Sequence, residues 1–236
     1  MLPGIDRILK PMQYLTPYIP PTVTVDGVIF QIIDNQLVVL LMQRPNEPFK
    51  DTWALPGGYS PQNETTLHAL QRILLAKTTV DITRDLNSIE QLSAFDNVGR
   101  DPRGHALSIV YIGYGRAVTT SDLPAHVNFF PVTTLPPLAF DHADIIAYAH
   151  QRLIDAISQT SAICSFLPQF FTLTQLQTAY ESILQHPLDK RNFRKKFLGF
   201  DLIIKTDKTH REGAHRPAQL YKFRTQIPQS LTNTFD

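Results

Sequence analysis

The sequence predicts an α/β protein in which a mixed β-sheet lies between helices and a smaller unit of two helices and a hairpin follows. Three observations support this prediction. Short β-branched and aliphatic runs, interspersed with two amphipathic helical patterns, fill the chain to about residue 158. From residue 161 the order becomes helix, turn, helix and two short strands. The charge changes at the same place, because residues 1–160 carry 11 Lys and Arg against 15 Asp and Glu, whereas residues 161–236 carry 11 against 6.

These boundaries divide the chain into an N-terminal arm of residues 1–21, an α/β domain of residues 22–160 and a basic C-terminal domain of residues 161–236. An apolar content of 43% suits packed cores. The sequence has no run of about 18 apolar residues, which a membrane-spanning helix requires. Its only cysteine, Cys164, excludes an intrachain disulfide framework and fits a reducing compartment. We therefore expect a soluble, cytoplasmic protein with no membrane partner.

The α/β domain begins with a predicted hairpin. β-Branched and aliphatic residues fill positions 23–30 and 37–44, and the intervening residues 34–36 are typical of a turn. A short strand follows at residues 53–58. It ends in two glycines, which can adopt conformations closed to other residues.

Helical patterns and further strands complete this domain. Asn63 is suited to capping a helix that runs to about Lys77. The predicted core positions of that helix are Leu67, Leu70 and Leu74. Strands are predicted at residues 92–95, 106–116 and 127–131. Asp141 is suited to capping a last helix through about residue 158, and its core positions are Ile145, Ala149, Leu153 and Ile157.

The segment from Gly58 to Val80 has the spacing of a catalytic motif without most of its acidic residues. It resembles the Nudix box, whose pattern is Gly, five residues, Glu, seven residues and then Arg-Glu-apolar-x-Glu-Glu-x-Gly-apolar. The matching positions are Gly58, Glu64, Arg72, Leu74 and Val80. The three glutamates that hold divalent cations in Nudix enzymes are replaced by Ile73, Ala76 and Lys77, and the late glycine by Thr79. Because hard cations need oxygen ligands, we expect no metal site, no cofactor and no catalytic residue. The resemblance implies a Nudix-type α/β/α sandwich.

The C-terminal domain has the element order of a winged helix-turn-helix. One amphipathic helix is predicted to end at His186-Pro187, and Asp189 is suited to capping a second. Strands near residues 203–205 and 220–223 enclose a basic excursion. In the second helix Phe193 and Phe197 share one face and basic residues project from the others. The candidate DNA-binding residues are Lys190, Arg191, Asn192, Arg194, Lys195, Lys196, His210, Arg211, His215 and Arg216. A basic helix that is merely solvated is the alternative interpretation.

Four segments of the chain resemble one family of bacterial regulators. These segments are Leu138-Ala139-Phe140-Asp141-His142 and the residues 171–177, 188–196 and 216–221. They are similar to the Nudix-related transcriptional regulators of the NrtR family, although His215 stands where the family usually has glycine. The resemblance implies a homodimer that binds a pseudo-palindromic operator in double-stranded DNA. It also implies that a small effector, ADP-ribose or a pentose, occupies the ancestral substrate cleft.

Candidate effector-binding residues are Arg44, Trp53, Arg72, Lys77, Arg100 and Arg103. Paired guanidiniums such as those of Arg100 and Arg103 suit a diphosphate, but they are also ordinary loop charges. Trp53 is equally interpretable as core packing, and Arg72 as a structural partner of Glu64. Lys77 supports the hypothesis that a side-chain cation balances the phosphates where a metal ion once did, with a solvated lysine as the alternative.

The sequence therefore predicts a ligand-responsive transcription factor with an inactive Nudix sensor. Two alternatives from other classes remain open. One is a Nudix-type nucleotide-diphosphate hydrolase with a basic accessory domain, which the replaced glutamates argue against. The other is an RNA-binding adaptor, which would show no preference for a palindromic duplex.

Overall fold

A computed structural model describes residues 19–115, 118–211 and 217–231. Most of the predicted arm, residues 1–18, lies outside the described residues. Seven strands form one mixed sheet with the path β3-β2-β1-β6-β5, to which β4 is added on β1 and β7 on β2. The strands are β1 (Thr22–Ile33), β2 (Gln36–Gln43), β3 (Trp53–Ala54), β4 (Gly57–Tyr59), β5 (Leu86–Phe95), β6 (Ala106–Gly115) and β7 (Val127–Pro131).

The central strand β1 holds the sheet together. It pairs antiparallel with β2 across a turn in which Asp34 and Asn35 both have positive φ, so the predicted hairpin is confirmed. Its other edge pairs in parallel with β6 along nine residue positions, from Thr22 opposite Ala106 to Phe30 opposite Tyr114. β5 begins at Leu86 rather than at the predicted residue 92, and it pairs antiparallel with β6.

Helices cover both faces of the sheet, which confirms the predicted α/β/α sandwich. α1 (Thr66–Thr78) packs Leu70 and Leu74 into a core cluster with one face of β1 and β2. α2 (His142–Gln159) packs against the opposite face. Its four predicted core residues are all fully buried: Ile145, Ala149, Leu153 and Ile157.

Details of the first helix differ from the prediction. The N-cap is Thr65, whose hydroxyl accepts from the amide of His68 at 3.2 Å, whereas Asn63 adopts a positive φ of 68° in the preceding turn. Leu67 is exposed, because the buried face is made by Ala69 and Ile73 in addition to the two leucines predicted correctly. The aliphatic spacing alone does not identify the face that meets the sheet.

The C-terminal domain is the predicted winged helix. α3 (Leu173–Leu184) begins with a capping box in which Thr172 and Gln175 cap each other, and α4 (Lys190–Gly199) is capped by Asp189 as predicted. β8 (Ile203–His210) and β9 (Ala218–Phe223) form an antiparallel hairpin, which we call the wing together with its connecting segment. Phe171 bridges Tyr221 through two backbone hydrogen bonds and adds a third chain segment to the hairpin.

Hydrogen bonds and a shared core join the winged helix to the Nudix-type domain. His150 of α2 contacts the carbonyl oxygen of Ile183 in α3 through Nε2 at 2.7 Å. Ser182 Oγ lies 2.7 Å from the carbonyl oxygen of Asn35 in the first hairpin turn. The buried segment Ala162–Phe166 forms a 3-10 turn between the two units and belongs to the same core cluster as α2 and α3. Within the described part of the chain, no helix combines the length and the hydropathy needed to cross a membrane.

Candidate effector cavity and nucleic-acid interface

A cavity of about 500 Å³ opens at one end of the Nudix-type sheet. Its walls come from β1, β4, the last turns of α1, the loop after β2, the loop that contains residues 100–103, and the start of α2. This volume lies within the usual range for small-molecule sites. Five of the six predicted effector residues line it: Arg44, Arg72, Lys77, Arg100 and Arg103.

The floor of the cavity is a buried ionic network. Arg100 donates to both carboxylate oxygens of Asp141, at 2.9 and 2.8 Å, and its side chain is only 5% exposed. A second carboxylate, that of Asp26, lies 4.0 Å from Arg100 and accepts a hydrogen bond of 2.5 Å from Ser108. Asp141 occupies the predicted N-cap position of α2. Its side chain binds Arg100, however, and does not cap the helix. The guanidinium of Arg100 therefore mainly supports the cavity floor, and it has few N–H groups left to donate to a ligand.

His142 completes this floor in a defined tautomer. Its Nδ1 accepts a hydrogen bond of 2.9 Å from the backbone amide of Leu55, so the proton of the neutral ring is on Nε2. Nε2 faces a carboxylate oxygen of Asp26 at 3.8 Å. Burial holds the pKa of His142 below its ordinary value, although Asp26 acts in the opposite direction. The ring is therefore neutral near pH 7 and fixes the loop at Leu55.

Two glycines of β4 let the backbone approach this network. A Cβ atom on Gly57 would lie 1.8 Å from a carboxylate oxygen of Asp26 and 2.7 Å from the carbonyl oxygen of Val25. Neither Gly57 nor Gly58 is among the residues with positive φ. Neither glycine uses its access to such conformations, and the requirement for glycine at residue 57 is one of close approach.

Arginines and aromatic rings form the mouth of the cavity. The guanidinium of Arg44 lies over the ring of Phe140 at 4.6 Å, and that of Arg103 lies 5.8 Å from the same ring. Arg103 also donates to the hydroxyl of Tyr59 at 3.0 Å and makes a bidentate pair with Asp101. Burial and then the charge of Arg103 lower the pKa of Arg44. This arrangement offers cations and flat ring faces to the same ligand.

Lys77 lies on the opposite wall, in the last turn of α1. Its ammonium donates a hydrogen bond of 2.7 Å to the carbonyl oxygen of Gly57. Although the residue as a whole is exposed, partial burial of its charged end, followed by the charge of Arg44, lowers the pKa of Lys77. Its ammonium is therefore partly desolvated inside a positively charged wall.

Arg72 and Trp53 have the structural roles that the sequence allowed as alternatives. Arg72 lines the cavity, but its guanidinium pairs with Glu64 at 2.7 and 3.0 Å, and this pair is exposed. Trp53 does not line the cavity. Its ring packs edge-on against Phe130 at 4.6 Å beside the core, so its prediction as an effector contact is not supported.

Sequence reasoning missed several cavity residues. Phe140 and His142 belong to a segment that the resemblance had singled out, but no cavity role followed from it. Asp26 lies within an aliphatic strand, and its buried position there was a signal that could have indicated a functional carboxylate. Tyr59 gave no signal in the sequence.

The replaced Nudix-box positions do not form a metal site. Ile73 is buried in the core beside Leu70, and Ala76 faces solvent. Among residues 19–115, 118–211 and 217–231, no group of three or more His, Cys, Asp or Glu side chains is arranged to hold a metal ion. The nearby carboxylates of Glu64 and Asp26 are already engaged by Arg72 and by Ser108.

The second helix of the winged domain presents a basic surface. Phe193 and Phe197 are buried and pack against Tyr180 at ring separations of 5.5 and 5.8 Å, which confirms the predicted anchoring face. Four predicted DNA-binding residues of α4 are exposed: Lys190, Arg191, Asn192 and Lys195. Arg194 and Lys196 are half-buried on the flanks. This is the geometry in which a recognition helix exposes side chains to a DNA groove.

The wing adds a second basic element. His210 and Arg211 at the end of β8 are exposed, and the other two predicted wing residues, His215 and Arg216, lie outside the described residues. Lys208 is held over the ring of Phe170 at 4.2 Å. At the base of the hairpin, Arg224 pairs with Asp201 at 2.7 Å. These contacts link the hairpin to the segment before α3 and to the segment after α4.

Comparison with known proteins agrees with both domains. Residues 21–149 match the NUDIX domain model, and residues 163–223 match the model of the NrtR DNA-binding winged helix domain. The chain is 37% identical over 217 residues to a protein of Acinetobacter baylyi named "ADPR responsive transcriptional repressor NtrR", which covers 89% of this chain and 84% of that protein. It is 39% identical over 131 residues to the ADP-ribose pyrophosphatase of Methanocaldococcus jannaschii, covering 55% of this chain and 73% of that enzyme.

A solved structure shows the same architecture. NrtR of Shewanella oneidensis, crystallised with a 27mer DNA, superposes with a TM-score of 0.75 at 31% identity and covers 91% of this chain and 99% of that chain. The order of the two matched domains, the extent of the similarity to the Acinetobacter repressor and this superposition agree with one another. The chain belongs to the NrtR family of Nudix-related transcriptional regulators.

Proposed function

We propose that this protein is a transcriptional repressor that binds double-stranded DNA through α4 and the wing and responds to ADP-ribose bound in the Nudix-type cavity. One observation carries the proposal: a single chain combines a cation-lined, aromatic-edged cavity with an exposed basic helix. The Acinetobacter relative, whose match covers 89% of this chain, has a name that states both a response to ADPR and repression of transcription. The proposed place of action is the bacterial cytoplasm, and the proposed assembly is a homodimer on a pseudo-palindromic operator.

The chemistry of the cavity suits the parts of ADP-ribose. Its diphosphate is anionic and is matched by Arg44 and Lys77. Its adenine is a flat ring that can stack on an aromatic side chain such as Phe140 or Tyr59. Its ribose hydroxyls are donors, and the carboxylate oxygens of Asp101 on the cavity wall can accept from them. A neutral pentose would leave the cations without a partner, which favours ADP-ribose over a sugar as effector.

We further propose that the chain does not hydrolyse its ligand. Cleavage of a diphosphate by a Nudix-type mechanism depends on bound divalent cations that neutralise charge and activate water. The residues at the three glutamate positions, Ile73, Ala76 and Lys77, supply no oxygen ligand. The similarity to an ADP-ribose pyrophosphatase gives the enzyme alternative its support, and it predicts magnesium-dependent turnover that the repressor proposal excludes.

A structural path can connect the effector to the DNA-binding domain. α2 begins with Asp141 and His142 in the cavity floor and contacts α3 two turns later through His150. A ligand that prefers one placement of α2 would therefore bias the placement of α3 and α4. Only a difference in ligand affinity between the two placements can drive such a change.

The proposal is tested by measuring its two binding activities on the same protein. Calorimetric titration should detect ADP-ribose and not arabinose or xylose. Selection from random-sequence duplexes should enrich a palindromic site, and Arg191→Ala should weaken binding to it. Tighter binding to random-sequence single-stranded RNA than to the selected duplex would support the RNA-adaptor alternative. Release of AMP above a no-protein control in Mg²⁺ would support the hydrolase.

A further inference from the structure

We propose that the Lys77 ammonium takes the place of a divalent cation in the cavity, so that the chain binds a diphosphate without any metal ion. This inference rests on the proposed function and specifies how its ligand is recognised. It assigns Lys77 a direct contact with the phosphate groups rather than a role in holding the wall of the cavity.

The cations of the cavity differ in whether a carboxylate is paired with them. Arg100 is paired with Asp141, Arg103 with Asp101 and Arg72 with Glu64, each through a short hydrogen-bonded contact. The two remaining predicted cations are Arg44 and Lys77. Within the part of the chain that the structure describes, neither has a carboxylate oxygen within 4.0 Å. The cavity therefore contains two positive charges that are not held in an ion pair, although Asp26 acts on both from a longer distance.

The surroundings of Lys77 leave room for an anionic group. A lysine ammonium has three N–H donors, and the carbonyl oxygen of Gly57 accepts one of them at 2.7 Å. A Cβ atom on Gly58 would lie 3.6 Å from Lys77 Nζ, so the bare glycine keeps the space beside the ammonium open. Two donors can therefore point to a ligand that enters along β4.

The local field favours an anion and disfavours a metal ion. Partial burial lowers the pKa of Lys77, as do the charges of Arg44 and Arg72, and only Asp26 acts in the opposite direction. A divalent cation at this place would meet the same repulsion. Of the carboxylates near Lys77, Glu64 binds Arg72 and Asp26 accepts from Ser108. Among the described residues, no three His, Cys, Asp or Glu side chains are arranged to hold a metal ion. Magnesium requires several oxygen ligands in near-octahedral geometry, and these residues do not fit it.

The test is calorimetric titration of the full chain with ADP-ribose in EDTA and again in Mg²⁺. The inference predicts dissociation constants that agree within about twofold. Binding seen only in Mg²⁺ would overturn the inference while leaving the proposed function intact. Absence of binding in both buffers would overturn both.

Variants distinguish ligand contact from wall support. Lys77→Met keeps the length of the side chain and removes its charge, and affinity for ADP-ribose in EDTA should fall about 10-fold to 100-fold, the usual effect of losing a hydrogen bond to a charged group. Lys77→Arg should recover part of that loss, because the charge returns. The control is Lys50→Met, at an exposed position in the loop after β2 that does not line the cavity, and this variant should bind ADP-ribose as the unchanged chain does.

A second ligand separates the two roles further. Adenosine lacks the diphosphate, so Lys77→Met should leave its binding unchanged if the ammonium contacts phosphate. An equal loss for adenosine and ADP-ribose would show that Lys77 only holds Gly57 in place and would overturn the inference. Unchanged ADP-ribose affinity in Lys77→Met would overturn it as well.

Discussion

Replacing Asp141 with asparagine should destabilise the protein more than any exposed charge replacement. The change keeps the shape of the side chain but leaves the guanidinium of Arg100, whose side chain is 5% exposed, without its bidentate carboxylate. Breaking a buried pair by removal of one partner costs about 3–5 kcal/mol. Asp26 remains 4.0 Å from Arg100 and supplies part of the lost charge, so we expect the lower end of this range, about 3 kcal/mol.

This loss of stability should lower Tm by a measurable amount. A chain of this size loses about 2–4 °C in Tm for each kcal/mol, so 3 kcal/mol corresponds to a decrease of about 6–12 °C. Differential scanning calorimetry is the suitable assay, because it does not assume that the two domains unfold together. The matched control is Asp201→Asn, which removes the partner of Arg224 in an ion pair at the surface, and its Tm should stay close to that of the unchanged chain. Equal shifts for the two variants would refute the assignment of the Arg100 and Asp141 pair as the support of the cavity floor.

Three further predictions concern pH, salt and the domain junction. Burial lowers the pKa of His142, so the unfolded chain binds a proton at higher pH than the folded chain, and stability should fall as the pH decreases below the ordinary value of 6.5. His142→Asn retains an acceptor for the Leu55 amide and should flatten Tm between about pH 7 and about pH 5; an unchanged slope would contradict the pKa assignment. Lys195→Ala should lower the slope of log affinity for DNA against log salt by about one, measured by fluorescence anisotropy, if Lys195 contacts a phosphate. His150→Phe removes the contact with the Ile183 carbonyl and should preserve ADP-ribose and DNA binding while weakening the effect of one on the other; full coupling in this variant would exclude the path through α2.

Local patterns in the sequence predicted most of the fold, because the buried faces repeat with the period of their element. Ile145, Ala149, Leu153 and Ile157 recur at helical spacing, and all four are buried. Asp189 caps α4 as a residue adjacent to a helical pattern should. The N-cap of the first helix could not be predicted from local patterns, because Asn63 and Thr65 are both suitable capping residues. The turn that precedes the helix selects Thr65.

The site was predictable only in part, since its geometry depends on contacts between distant residues. Arg44, Lys77 and Arg103 line one cavity, in segments that the Nudix resemblance indicated, and their contact with an effector stays a prediction. The pairing of Arg100 with Asp141 joins residues 41 positions apart. No local pattern could therefore show that this carboxylate binds a guanidinium and does not cap its helix.

The central claim is that one chain couples ADP-ribose in the cavity to DNA at α4. The most direct measurement is fluorescence anisotropy of a selected duplex with the full chain, in EDTA, as ADP-ribose is added. The account predicts that saturating ADP-ribose changes the dissociation constant for DNA by about 5-fold or more, within the usual range of allosteric coupling, and that adenosine at the same occupancy produces a smaller change. An unchanged DNA affinity in protein that calorimetry shows to be saturated with ADP-ribose would contradict it.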